Sequence, residues 1–183
     1  ARAGFDVRRR GVGASGERLA VYASSEAHSS IQKAVELLGL GADSLRQAPV
    51  RDDFTVDVAA LARMIDADRA AGVRPICAVG NAGTVNTGAV DDLPALADLA
   101  AREGLWFHVD GAFGALACLS PGLRPIVAGM ERADSLTFDF HKWLYLPYEI
   151  GVTLVRDAEA HRRAFSLTPD YLVHVDDSAP RKK

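Results

Sequence analysis

Lys142, Asp110 and His28 are the residues of this sequence best suited to chemistry. Lys142 lies between His141 and Trp143, at the end of an apolar run, an odd setting for a solvated cation. Residues 135–138 read as a strand, and residues 150–155 as a second one after a turn through Pro147. Lys142 therefore belongs where a buried strand meets a loop. Desolvation disfavours an ammonium, so a lysine held there loses its proton more readily. As a neutral amine it can form a Schiff base with a carbonyl. A surface lysine following a strand is the plain alternative. Asp110 ends the run Trp106-Phe107-His108-Val109 and precedes Gly111-Ala112. A carboxylate at a buried strand end needs a partner. That partner is either a neighbouring loop, in a structural hydrogen bond, or a cationic ligand nitrogen. The small Gly111-Ala112 pair would let a flat ring approach the backbone. His28 sits among small residues at a helix start, as a cap or solvated ring, or as a plate stacked on a flat ring or a proton donor. Strand alternation alone leaves the face of His108 open, and a structural role is favoured for it. His28, His108, Asp110 and His141 match no zinc spacing, and neither cysteine neighbours a histidine pair, so no metal is expected.

The elements that must position these residues alternate. Residues 1–18 show no clear period. Residues 19–23 read as a strand, 24–29 as a turn, and Ile31, Val35 and Leu38 fall at helical spacing before Gly39 and Gly41. A short strand over 45–50 precedes Asp57, an N-cap for a helix with Val58, Leu61 and Ile65 on one face. Gly72 ends that helix and 74–79 form the next strand. Residues 80–88 are rich in turn formers. Asp91 or Asp92 caps a helix carrying Leu93, Leu96 and Leu99, with Pro94 tolerated in its first turn. Gly104 ends it and 105–109 form a strand. Ser120-Pro121 has the form of an N-cap and N1 pair. Strands alternating with helices of about three turns predict βαβ units, hence an α/β fold with a largely parallel sheet covered on both faces. Ligands bind beyond the carboxyl ends of such strands, which selects the His28 turn, Asp110, Lys142 and the loop around Thr84. Gly11-Val12-Gly13-Ala14-Ser15-Gly16 fits a dinucleotide fingerprint by letter, but without a clear strand before it or helix after it.

Composition narrows the class. The chain has 183 residues, 49% hydrophobic and 25% charged, with a net charge of −3. That is ordinary for a globular domain and predicts no nucleic-acid or membrane partner. No apolar run is long enough to span a bilayer. Two cysteines, Cys77 and Cys118, make no disulfide framework, so a cytoplasmic setting is expected. The first residue is not methionine and the chain stops in a polar stretch, so it reads as a fragment of a longer protein.

Four segments together resemble the group II pyridoxal-phosphate-dependent amino-acid decarboxylases, relatives of aromatic-L-amino-acid, histidine and glutamate decarboxylases. They are Ser25-Glu26-Ala27-His28-Ser29-Ser30, Asn81-Ala82-Gly83-Thr84-Val85, residues 108–114 (His-Val-Asp-Gly-Ala-Phe-Gly) and residues 134–143, which end in His141-Lys142-Trp143. They occur in the family's order with its spacing, and residues 165–172 also look like the family. The resemblance implies a fold type I large domain, incomplete over residues 1–183, without the segment that would precede it and without the small C-terminal domain. It implies pyridoxal 5'-phosphate as cofactor, held by Lys142 as a Schiff base. Asp110 would pair with the pyridine nitrogen, His28 would stack on one ring face and assist catalysis, Ala112 would pack on the other face, and His141 would lie near the phosphate or the Schiff base. The implied reaction is α-decarboxylation of an L-amino acid to an amine, in a homodimer whose site lies at the interface. An aminotransferase on the same fold, or an inactive truncated binding module, are the alternatives. This chain departs from the family in having Val85 where a second threonine is common. It also has Asp139-Phe140 where Asn-Pro is common, and a carboxylate there would be less welcome beside a phosphate, so that it would turn away or bind another group.

Overall fold

The computed structural model describes residues 10–166. Its order is β1 (Arg18–Ser24), α1 (Ser30–Leu37), β2 (Leu45–Ala48), α2 (Val58–Ala70), β3 (Val73–Asn81), α3 (Leu93–Glu103), β4 (Trp106–Asp110), β5 (Ser135–Asp139), β6 (Gly151–Val155) and α4 (Ala158–Phe165). The six strands form one sheet in the order β2-β1-β3-β4-β5-β6. The first five run parallel, and β6 returns antiparallel beside β5. The parallel α/β architecture is thus the expected one.

The helices start and stop where the sequence places their signals. Asp57 caps α2 by accepting from the Ala60 N–H at 2.9 Å, and Asp92 caps α3 through the Ala95 N–H at 3.0 Å. Gly104 closes α3 in the left-handed conformation, φ 67°. α2 and α3 bury Leu61, Ile65, Leu93, Leu96 and Leu99 against Tyr22, Ala78, Phe107 and Val109 on one face of the sheet. The other face carries a smaller buried cluster, Val21, Ala23, Val35 and Val79, under α1. Cover on the two faces is therefore unequal among the described residues. Of the expected apolar positions of α1 only Val35 is buried; Leu38 is its exposed C-cap.

Three local differences have physical causes. β3 runs on through Gly80 and Asn81 rather than turning at residue 80. A side-chain carbon at position 80 would come within 2.9 Å of Leu93 and Leu96, so this glycine lets α3 lie close on the strand. Ser120-Pro121 opens a hydrogen-bonded turn, with the Arg124 N–H on the Ser120 carbonyl at 2.8 Å, and a short 3-10 helix follows over Arg124–Val127. α4 was not anticipated; Asp157 caps it through the Ala160 N–H at 2.9 Å. Residues 167–172, which carry part of the family likeness, lie outside the described residues.

Asp91 and Asp92 divide the work that either could have done. Asp92 caps the helix, while Asp91 turns inward and is 3% exposed. Its carboxylate accepts from the Val56 N–H at 2.7 Å, the Asn81 N–H at 2.7 Å and Asn81 Nδ2 at 2.9 Å. Burial raises the pKa of this carboxyl, against the pull of those donors. Asp91→Ala would strand three buried donors. It is expected to destabilise the fold by about 3 kcal/mol, read as a lower chemical-denaturation midpoint at unchanged slope. A loss below about 1 kcal/mol would mean that water replaces the carboxylate.

Candidate active site

The carboxyl ends of β3, β4 and β5 meet in register: Asn81 pairs with Asp110, and Asp110 with Thr137. Strand alternation sends His108 and Asp110 of β4 to one face, and the turn before α1 brings His28 over that face. The result is a cavity of about 360 Å³ lined by His28, Asp110, Ala112, Asp139 and Lys142, with Asn81, Thr84, His108, Phe113 and Thr137 among its other walls.

The loop after β4 is held tightly. The Gly111 N–H meets the Thr137 carbonyl and the Gly114 N–H meets the Ala82 carbonyl, both at 2.9 Å. A side-chain carbon at position 114 would lie 2.4 Å from the Ala82 oxygen, and one at 111 would lie 2.6 Å from Ala115 Cβ. Both positions demand glycine because backbones and small side chains pack against them. This fixes Ala112 and Phe113 at the cavity wall. The Ala112 N–H in turn orients Asp110, reaching its Oδ1 at 3.1 Å.

Lys142 Nζ sits 2.8 Å from Asp139 Oδ2 and 4.4 Å from the centroid of the Phe113 ring. The side chains of both ionic partners are partly exposed, 27% and 23%. His28 Nδ1 accepts from the Ser30 N–H at 3.2 Å, with Ser30 Oγ at 2.9 Å. An Nδ1 that accepts leaves the ring proton on Nε2. Thr84 is buried and bonds Thr87 through the two hydroxyls at 2.7 Å, whereas Val85 is 51% exposed at the rim.

His141 behaves differently from the others. Its Nδ1 accepts from the Ile150 N–H at 3.1 Å, and its ring packs on Tyr148 with centroids 4.5 Å apart. Its Nε2 lies 3.9 Å from Asp139 Oδ2. It thus braces the turn that carries Lys142, and the cavity wall is formed by its neighbours. The sequence reading had not ranked Asn81 and Thr137 as site residues. The signal for them was register, since both are strand-end partners of Asp110.

His108 stands beneath the cavity on a polar chain. Trp106 Nε1 donates to Ser135 Oγ at 2.8 Å, and Ser135 Oγ lies 2.8 Å from His108 Nδ1. Burial lowers the pKa of His108, against the pull of nearby Asp110. A lowered histidine takes up its proton more readily unfolded than folded. Its stabilising share is therefore complete above the unfolded value of about 6.5 and is lost as pH falls toward the folded pKa. The melting temperature of the intact protein is expected to fall from pH 7 to pH 5 more steeply than that of His108→Gln. For one proton the difference in slope stays below about 1.4 kcal/mol per pH unit. Parallel curves would show that His108 titrates alike in both states.

Known proteins resemble this chain over most of its length. The chain is 40% identical over 156 residues to the aromatic-L-amino-acid decarboxylase of Bacillus atrophaeus, covering 85% of this chain and 32% of that protein. It superposes on mouse CSAD in apo form with a TM-score of 0.87 and 34% identity, over 92% of this chain and 36% of that one. It superposes on Oryza sativa TDC, solved with PLP and tryptamine, with a TM-score of 0.83 and 36% identity, over 91% and 35%. The chain thus spans about a third of the length of the proteins it matches. The model of the pyridoxal-dependent decarboxylase conserved domain matches residues 8–181, nearly the whole sequence, and the chain belongs to that family.

Proposed function

We propose that the intact protein is a pyridoxal-phosphate-dependent decarboxylase that converts an L-amino acid to its amine and carbon dioxide. The observation that carries this is the placement of a primary amine, Lys142, and a carboxylate, Asp110, on one cavity at the carboxyl ends of parallel strands. The cavity fits the cofactor chemically. It offers an amine for a carbonyl, an anion for a ring nitrogen, and a histidine and a small residue, His28 and Ala112, in its lining. Bound there, pyridoxal phosphate supplies an electron sink for the pair left behind when a carboxylate departs as carbon dioxide.

The side chains divide the remaining work. Lys142 would hold the cofactor through its primary amine. Asp110, oriented by the Ala112 N–H, would pair with the ring nitrogen and favour its protonated form. His28 would cover one ring face, and with Nδ1 accepting from Ser30 its ring proton sits on Nε2, available to a proton-transfer step. Ala112 would pack on the other face. His141 fixes the turn that aims Lys142.

We read the intact protein as a homodimer of the cytoplasm. Supporting the first is an apolar cavity of about 330 Å³ beside the site, with Leu123, Ile126 and Trp143 more than 40% exposed at its walls. Supporting the second, both cysteines, Cys77 and Cys118, are free thiols.

Product analysis tests the reaction. The loaded intact protein is incubated with single L-amino acids, aromatic ones first, and carbon dioxide, amine and keto acid are measured. Amine and carbon dioxide in equal amounts support decarboxylation. A keto acid without carbon dioxide would make the protein an aminotransferase.

A further inference from the structure

Asp139 is a charged wall of the site with no part in the reaction as proposed. It ends β5 and pairs in register with Gly151 of β6. A side-chain carbon at position 151 would lie 3.3 Å from Asp139 Oδ1, so Gly151 leaves the carboxylate room. The turn that follows is stitched by backbone bonds, Phe140 N–H to the Ile150 carbonyl at 3.0 Å and Leu146 N–H to the Phe140 carbonyl at 3.3 Å. Three residues on, Lys142 is folded back so that Nζ lies 2.8 Å from Asp139 Oδ2. Nζ also lies 4.4 Å from the centroid of the Phe113 ring, which cannot accept a proton. Of the other groups around the cavity, Asp110 is oriented by Ala112, His28 Nδ1 is taken by Ser30 and His108 Nδ1 faces Ser135. His141 Nε2 is 3.9 Å from the same Asp139 oxygen.

We propose that Asp139 is the general base that prepares Lys142 for covalent capture of an aldehyde, a proposal that rests on the reading of Lys142 above. An ammonium has no lone pair and must lose one proton before it can attack. Asp139 Oδ2 is within reach of that proton. One proton passes from Nζ to the carboxylate, and the nitrogen lone pair forms the new bond to the carbonyl carbon. The two remaining amine hydrogens leave with the carbonyl oxygen as water when the carbon–oxygen bond breaks and the C=N bond closes. The positive amine and negative carboxylate become a neutral C=N linkage and a neutral carboxylic acid, so charge and atoms balance with no further reactant.

Capture is measured on the intact protein stripped of cofactor. Pyridoxal phosphate is added from pH 6 to pH 9, the approach to equilibrium is followed by absorbance, and the adduct is fixed with borohydride and mapped by mass spectrometry. Asp139→Asn is expected to capture on the order of 100-fold more slowly at neutral pH, with the gap closing as solvent base takes over at high pH. Asp139→Ala supplies a second reading, since added acetate is expected to restore its rate in proportion to concentration. The bonds that stitch the turn are backbone bonds, so both variants are expected to keep them. Equal or faster capture by Asp139→Asn, or no response of Asp139→Ala to acetate, overturns the proposal while a Lys142 adduct leaves the functional reading standing. No adduct on Lys142 in the unaltered protein overturns both.

Discussion

Lys142→Ala is expected to abolish covalent attachment of pyridoxal phosphate and to lower decarboxylation by at least about a thousandfold. That corresponds to roughly 4 kcal/mol of lost transition-state stabilisation. The structural cost should be far smaller. The pair with Asp139 is partly exposed on both sides, and such pairs contribute on the order of 1 kcal/mol or less. The two effects therefore separate. Lys142→Arg sharpens the separation, because a guanidinium keeps the positive charge beside Asp139 yet does not form a stable C=N bond with an aldehyde. Both variants should melt within a few degrees of the parent, and neither should yield a pyridoxyl adduct on borohydride reduction. An adduct on another lysine, with activity retained, would move the catalytic amine elsewhere and dismantle the site described above.

That Lys142 could be singled out from sequence has a physical reason. Parallel strands hidden on both faces read as apolar runs, and the residue just beyond such a run falls at the sheet's carboxyl edge. Asp110 and Lys142 both stand there, and so does His28 after β1. Caps were legible for a similar reason. Asp57, Asp92 and Gly104 act through bonds to their own neighbours, which distance along the chain already specifies. What escaped were choices settled by contacts remote in sequence. Gly80 has the composition of a turn but serves as the seat for Leu93 and Leu96. Asp91 has the position of a cap but satisfies Val56 and Asn81. His141 adjoins the lysine yet is claimed by Ile150, nine residues on, across the β5–β6 turn. Asp139 could be flagged as unusual beside a phosphate, but only folding shows that its partner is Lys142.

Asp110→Asn probes the other half of the cavity and should give a different failure. An asparagine can still accept the Ala112 N–H through its side-chain oxygen, so the loop after β4 keeps its geometry and stability changes by less than about 1 kcal/mol. What is lost is the negative charge. With pyridoxal phosphate bound as proposed, its ring nitrogen would lack a counter-ion at the end of β4 and would be a weaker electron sink. The turnover rate is expected to fall by about 100-fold to 1000-fold, or roughly 3 to 4 kcal/mol, with a smaller change in KM. Lys142 should still form its adduct, because the amine and Asp139 are untouched. The contrast is the decisive feature: Lys142→Ala loses adduct and turnover together, whereas Asp110→Asn keeps the adduct and loses turnover. Turnover within threefold of the parent would assign Asp110 a purely structural bond to its loop. Loss of the adduct as well would mean that Asp110 governs cofactor binding rather than its electronics. The order of the strands makes the first pattern the expected one, since Asp110 ends β4 and Lys142 follows β5, so each reaches the cavity from a separate element.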